Sequence, residues 1–169
     1  MRSQIFPEWA NILPIILLIS IVILLGGVVH LFWFWFSPNH LNVGYQPKQP
    51  IPFSHAVHVD NIGIDCRYCH SNVEKAAHSN IPATETCMNC HKQVKKDSKH
   101  IKKLTRHYES GEPIEWVKVH MLPDYAYFNH SAHVNVGVSC VQCHGQVNKM
   151  EVVYQAKPLS MGWCLECHR

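Results

Sequence analysis

The hydrophobic residues of this chain are concentrated in one uninterrupted run near its amino terminus. Residues Ile12 to Phe36 read ILPIILLISIVILLGGVVHLFWFWF and contain no aspartate, glutamate, lysine or arginine. At about 1.5 Å per residue, a helix of this length exceeds a hydrocarbon layer of about 30 Å. A cleavable signal peptide would have a shorter apolar region followed by small residues, whereas this run ends in WFWF. The pattern predicts a membrane-spanning helix over residues 12–36 that stays attached.

Beyond the apolar run, one stretch has the spacing of a longer helix. Val94, Ile101, Leu104 and Tyr108 are separated by intervals compatible with one helical face, and Gly111 follows them. The stretch therefore predicts a helix that ends at Gly111.

The polar part of the chain contains eight cysteines in a regular arrangement. All eight fall in pairs with two residues between them, and a histidine follows each pair directly. These CxxCH sequences are motif 1 (66–70), motif 2 (87–91), motif 3 (140–144) and motif 4 (164–168). CxxCH is typical of c-type haem attachment, in which both thiols form thioethers and the histidine becomes the proximal iron ligand. Zinc knuckles need two CxxC pairs per ion and no histidine after each one, and a redox disulfide needs a single CxxC. The spacing predicts four covalent haems c, attached at Cys66, Cys69, Cys87, Cys90, Cys140, Cys143, Cys164 and Cys167, with proximal ligands His70, His91, His144 and His168.

A second pattern, F-x-H-x-x-H-V, occurs once before each pair of motifs. It reads PFSHAVHV before motif 1 and YFNHSAHV before motif 3, so the order HxxH, CxxCH, CxxCH is written twice. Histidines three positions apart lie on one side of a helical turn, and one pair can reach two neighbouring irons. Two HxxH pairs match four irons, which predicts the distal ligands His55, His58, His130 and His133.

The chain is too short to build a large protein core around four porphyrins. Residues 41–169 supply about 32 residues per predicted haem, so the haems themselves are expected to form the core. We predict one amino-terminal transmembrane helix followed by a multihaem cytochrome c domain of mostly short helices and irregular loops, with little sheet. The expected divisions are a cytoplasmic segment 1–11, the helix 12–36, a linker 37–50, a first two-haem unit 51–91, a basic helix and linker 92–125, and a second two-haem unit 126–169.

The predicted haems also set the expected location of the domain. Haem c is attached on the outer side of a membrane, so the amino terminus is expected inside, and residues from about Ser37 onward on the periplasmic side of a bacterial inner membrane. Lysines and an arginine cluster between residues 92 and 106, a pattern that often indicates nucleic acid binding. A domain on the periplasmic side does not encounter nucleic acid, so this interpretation is set aside. Two interpretations stay open: the cluster balances haem propionates on a solvated face, or it docks an acidic partner.

These motifs together resemble the small class III multihaem cytochromes c, and in particular the membrane-anchored multihaem subunit of alternative complex III. The resemblance rests on the order of PFSHAVHVDNIGIDCRYCHSNVEKAA, IPATETCMNCH, GEPIEWVKVHMLPDYAYFNHSAHVNVGV and PLSMGWCLECHR. It implies an electron-transfer subunit, with no substrate site of its own, in a bacterial complex that oxidises menaquinol. It implies as partners an iron–sulfur subunit, polytopic quinol-binding subunits and a monohaem cytochrome c, with a haem-copper terminal oxidase as a further acceptor.

The chain differs from that family in its number of predicted haems, and two other families stay open as alternatives. Members of that family typically carry five haems, so a fifth is expected if the chain continues past Arg169. His120, in WVKVHMLPD, is then the candidate for another distal ligand, to a fifth haem or in place of one HxxH histidine; the alternative is a surface histidine. The first alternative family is the NapC/NrfH-type tetrahaem quinol dehydrogenase, although 30 positions separate Phe36 from Cys66 here. The second is the cytochrome subunit of a menaquinone reductase complex, in which electrons run inward.

Overall fold

The computed structural model describes residues 6–37 and 41–169 and divides the chain into two units. The first unit ends at Leu41, and the second runs from Asn42 to Arg169. Residues 1–5 of the predicted cytoplasmic segment and 38–40 of the predicted linker lie outside the described residues. The apolar run belongs to the first unit, and all four motifs belong to the second.

A single long helix forms the first unit. A 3-10 turn, Glu8–Ile12, leads into α1, Leu13–Phe36, which lies within the predicted range 12–36. Pro14 stands in the first turn of α1, where a missing N–H costs no helical hydrogen bond. The side chains of α1 are exposed on every face of this unit. Among the described residues α1 is the one helix that is long and apolar enough to cross a membrane.

The second unit consists of short helices joined by irregular segments, as the sequence predicts. Its described residues contain no β-strand, which confirms the predicted fold class. A wide π turn, Ala56–Asn61, follows His55, and a 3-10 turn, Val147–Lys149, follows motif 3. The α-helices are α2 (Cys66–Cys69), α3 (Thr84–His91), α4 (Lys99–Ser110), α5 (His130–Val134), α6 (Cys140–His144) and α7 (Met161–Cys164).

The small protein core of this unit lies between α3 and α4. Ile101 and Leu104 of α4 are buried against Met88 of α3 and against Ile51, which precedes the first HxxH. Few other hydrophobic side chains of the second unit are buried. So small a set of buried side chains is compatible with the prediction that haems form most of the core.

The start of α4 differs from the sequence prediction, whereas its end agrees with it. Val94 lies outside the helix and is exposed, so its inclusion was wrong. The backbone takes a left-handed turn at Lys95, with φ +53°, and Ser98 then caps the helix through a hydrogen bond that its Oγ accepts from the N–H of His100. Gly111 ends the helix with φ +74°, a conformation that glycine adopts at little cost.

The two sequence repeats hold each other through reciprocal hydrogen bonds. The N–H of Ala56, within the first HxxH, donates to the carbonyl of Met150 at 3.1 Å. The equivalent N–H of Ser131, within the second HxxH, donates to the carbonyl of Ala76 at 3.3 Å. Side-chain bonds repeat this exchange, from Asn135 to the carbonyl of Glu74 and from Asn148 to Asp60. Each HxxH is thereby anchored to the segment that follows the first motif of the other repeat.

A buried glutamine fixes the extended segment that carries His120. The side chain of Gln155 has 0% exposure. Its Oε1 accepts a hydrogen bond from the N–H of Met121 at 2.8 Å, and its Nε2 donates to the carbonyl of Pro158 at 3.3 Å. Both ends of the buried amide are therefore satisfied, and the backbone next to His120 is held in one position.

Candidate functional site

Each motif starts on a short helical turn, which places its two thiols side by side. Motifs 1 and 3 begin α2 and α6, motif 2 lies in α3, and motif 4 begins in α7 and continues into the turn after it. Asp65 caps α2, its Oδ1 accepting from the N–H of Arg67 at 2.8 Å, and Ser139 forms a capping box with Gln142 at α6. Cysteines three positions apart on such turns are neighbours, as attachment of one group through two thioethers requires.

The histidines of motifs 1 and 2 are oriented by backbone carbonyls. His70 donates from Nδ1 to the carbonyl of Asn80 at 2.7 Å, and His91 donates from Nδ1 to that of Val94 at 3.0 Å. A carbonyl only accepts, so Nδ1 carries the ring hydrogen and Nε2 keeps a free lone pair. This is the outer-shell arrangement that metal-ligating histidines ordinarily have.

Three of the four HxxH histidines show the same arrangement. Their Nδ1 atoms donate to carbonyls at 2.8 Å in each case, from His58 to Ser54, from His130 to Ala77 and from His133 to Asn129. Nε2 of each ring is left available to a metal.

Each repeat adds a phenylalanine whose role was not predicted from the sequence. Phe53 stacks on His58 with ring centres 4.4 Å apart, and Phe128 stacks on His133 at 4.6 Å. The same two phenylalanines meet the first histidine of their pair edge to face. The recurrence of phenylalanine at the first position of both F-x-H-x-x-H copies was the signal that could have identified this packing.

Three motif histidines face an HxxH histidine ring to ring. The ring centres are 6.1 Å apart for His91 and His58, 6.3 Å for His144 and His130, and 5.7 Å for His168 and His133. Two imidazoles that bind one metal from opposite sides leave their ring centres roughly 6 Å apart, given metal–nitrogen bonds of about 2 Å. The three separations are therefore compatible with one iron held between the two imidazoles of each pair.

His55 is the remaining HxxH histidine, and His70 is the remaining motif histidine. Nδ1 of His55 is buried and has no hydrogen-bond partner within the described part of the chain, whereas its counterpart His130 uses Ala77. Burial, and after it the nearby imidazole of His70, lowers the pKa of His55 to about 4. His55 is thus held neutral, which is the form that binds a metal.

His120 lies against motif 3. Its Nε2 is 3.1 Å from Nδ1 of His144, and the two rings are nearly perpendicular, with centres 4.4 Å apart. That nitrogen–nitrogen distance is a hydrogen bond and leaves no room for a metal between the two atoms. Burial, followed by the charges of neighbouring histidines, lowers the pKa of His144 to about 4, and the same two causes lower the pKa of His120. Ligation of an iron by His120 stays a prediction.

The motifs are arranged in space in an order that differs from the sequence. Burial raises the pKa values of several motif thiols, and a second thiol adds to each shift, which identifies the neighbouring motif. For Cys66 the neighbouring thiol is that of Cys140. The remaining neighbours are Cys69 for Cys87, and Cys164 and Cys167 for Cys143. The order is therefore motif 2, motif 1, motif 3, motif 4, because the reciprocal contacts of the repeats bring motifs 1 and 3 together.

Gly145 lets the chain leave motif 3 beside another segment. Its φ of +67° and ψ of −160° form a combination essentially restricted to glycine, and an added Cβ would lie 2.7 Å from Cβ of Ala156. We expect Gly145→Ala to displace His144 and to lower the free energy of unfolding by about 1–3 kcal/mol, measured by denaturant titration followed at the haem absorption band. Gly137→Ala is the matched control, since Gly137 has φ +87° but open space around it. Equal losses in the two variants would show that the contact with Ala156 is unimportant.

Comparison with known proteins agrees with this site. Residues 51–107, which include the first HxxH and motifs 1 and 2, match the family described as cytochrome c7 and related cytochrome c. The chain is also 37% identical over 121 residues to a protein of Nitratidesulfovibrio vulgaris (strain Hildenborough) named "Menaquinone reductase, multiheme cytochrome c subunit". The match covers 70% of this chain and 56% of that protein, so the chain spans a little over half the length of this relative. The family match implies covalent haem c, which the paired thiols and imidazoles fit.

Proposed function

We propose that the second unit holds four covalent haems c, each between two histidines, and that the chain is the anchored electron-transfer subunit of a quinone-linked membrane complex. The observation that carries the proposal is the set of three imidazole pairs, each joining one CxxCH motif to one HxxH histidine at 5.7–6.3 Å between ring centres. Bound haem c supplies a one-electron centre, and two axial imidazoles leave its iron no open position for a substrate. The proposed role is therefore electron transfer without a substrate site.

The ligand assignment follows one rule in both repeats. The first histidine of each HxxH serves the first motif of its repeat, and the second histidine serves the second motif. Three of these pairs face each other directly. For the fourth pair, support comes from the equivalence of the repeats and from the proximity of His55 to His70. The proposed axial pairs are His70 with His55, His91 with His58, His144 with His130, and His168 with His133.

The named relative supports a place in a complex that exchanges electrons with menaquinone. We propose α1 as the membrane anchor, with the second unit on the periplasmic side, where haem c is attached. Within a quinol-oxidising alternative complex III, the partners would be an iron–sulfur subunit, polytopic quinol-binding subunits and a monohaem cytochrome c or terminal oxidase. A subunit of a menaquinone reductase is the second candidate, favoured by the 37% identity to a protein of that name. The two candidates differ in the direction of electron flow.

The outer motifs are the natural points of contact with redox partners. Motifs 2 and 4 end the spatial order, and His168 of motif 4 is exposed. Beside motif 2 lies a cleft of about 460 Å³, and its lining includes His91 and four basic side chains. The residues that line it are Met88, His91, Lys92, Lys96, Lys102, Thr105, Arg106, Tyr108 and Glu109. A basic surface next to an outer motif suits an acidic redox protein, because complementary charge speeds encounter.

The number of attached haems tests the proposal directly. The intact mass of the denatured full chain is expected to equal the 19.4 kDa polypeptide plus four haems, with four haems per chain in a parallel absorbance assay. A Cys87→Ala/Cys90→Ala variant supplies the calibration, since it should lose one haem. A wild-type chain with no covalent haem, or with bound zinc in its place, would refute the proposal. A fifth haem on a heavier chain would mean that the protein extends beyond Arg169.

A further inference from the structure

His144 differs from the other motif histidines that have a hydrogen-bonded Nδ1. His70 and His91 each bond a backbone carbonyl, whereas His144 bonds the side chain of His120 at 3.1 Å. Motif 3 is also one of the two inner motifs in the spatial order. Its outer-shell partner is thus a residue that can be exchanged by mutation without altering the backbone.

The segment that carries His120 is fixed by hydrogen bonds on both sides of this residue. Upstream of His120, the side-chain amide of Gln49 makes two bonds of 2.9 Å with the N–H and the carbonyl of Val117. Downstream, the N–H of Met121 bonds the fully buried Gln155. An extended segment fixed at both ends loses little freedom when His120 meets His144, so the hydrogen bond is preorganised.

The chemistry of the pair sets the direction of the hydrogen bond. Nε2 of His144 is committed to the iron in the proposed function, on the side where the ring of His130 lies parallel to it at 6.3 Å. Nδ1 of His144 must then carry the hydrogen, and Nε2 of His120 accepts it.

We propose that His120 is a positioning residue for motif 3, which accepts the Nδ1 hydrogen of His144, fixes the orientation of that ligand and increases its basicity toward the iron. The inference rests on the proposed attachment of haem at motif 3, and it gives His120 a role other than the iron ligation expected from the sequence. A more basic axial ligand stabilises the ferric state. His120 therefore lowers the reduction potential of one inner haem.

Two substitutions in the detergent-solubilised full chain test this role. His120→Phe removes the acceptor and keeps a planar ring, and His120→Gln restores an acceptor oxygen. In His120→Phe we expect every haem to stay low-spin, while the reduced-to-oxidised ratio of one haem at a fixed potential rises roughly tenfold, or about 59 mV for a one-electron couple. His120→Gln should return most of the shift. His107→Phe is the control, because the ring of His107 bonds the carbonyl of Glu112 and, among the contacts described, no motif histidine.

The readouts separate the possible outcomes. A high-spin haem in His120→Phe would show that His120 is an axial ligand and would overturn the inference. Unchanged potentials in both variants would overturn it as well. Haem stoichiometry by mass, measured on the same samples, isolates the underlying proposal: an empty motif 3 in the wild-type chain would refute haem attachment itself, whereas four haems with an unshifted potential would refute only the role of His120.

Discussion

Replacing His130 with alanine is expected to convert one haem of this chain from six-coordinate low-spin to five-coordinate high-spin. The ring of His130 is parallel to that of His144 within 8°, with ring centres 6.3 Å apart, and its Nδ1 is tied to Ala77. The other three proposed pairs do not include His130, so their haems should stay six-coordinate. About one quarter of the low-spin signal should therefore disappear from the electron paramagnetic resonance spectrum, with a matching high-spin signal.

Two further variants make this experiment specific. His130→Met supplies a sulfur ligand at the same position and should restore the low-spin state with a raised potential. His107→Ala removes a histidine of α4 whose ring bonds only the carbonyl of Glu112 among the contacts described, and should leave the spectrum unchanged. A fully low-spin His130→Ala protein would show that His144 has a different partner. The same measurement on His55→Ala examines the pair that was assigned from the equivalence of the repeats.

Removal of motif 3 is expected to have a much larger effect than removal of motif 4. Motif 3 has motif 1 as a neighbour on the side of Cys140 and motif 4 on the side of Cys143, and its histidine is more enclosed than the exposed His168. The turn after motif 3 also holds the first HxxH through Met150 and Ala56. Loss of the haem proposed at motif 3, one of the two inner motifs, would leave a large void that the few buried side chains of this unit have no means of filling.

The two double variants can be compared in one assay. Cys164→Ala/Cys167→Ala should yield a folded chain with three haems and near-normal resistance to proteolysis. Cys140→Ala/Cys143→Ala should yield little or no folded protein, with fewer than three haems on the chain that is recovered. Intact mass and limited proteolysis measure both quantities. Equal yields of three-haem protein from the two variants would contradict the inner position of motif 3.

The sequence predicted those elements that depend only on residues close together in the chain. The apolar run forms α1, and each CxxCH lies on or begins in a short helical turn, because neighbours three positions apart determine both features. The end of α4 at Gly111 was predicted correctly for the same reason. The start of α4 was predicted wrongly, because Val94 has helical spacing in the sequence but lies before the helix. The backbone is left-handed at Lys95, and the helix begins only after its cap at Ser98.

The sequence by itself determined the chemistry of this protein: two thiols and an imidazole within one turn, repeated four times, together with paired histidines and one apolar helix. Only the tertiary structure decided which imidazole faces which, that motif 1 meets motif 3, and that His120 bonds His144. Cys66 and Cys140 are 74 positions apart, and no local pattern encodes their proximity. It follows from the exchange of hydrogen bonds between the repeats, which forms when the two halves pack.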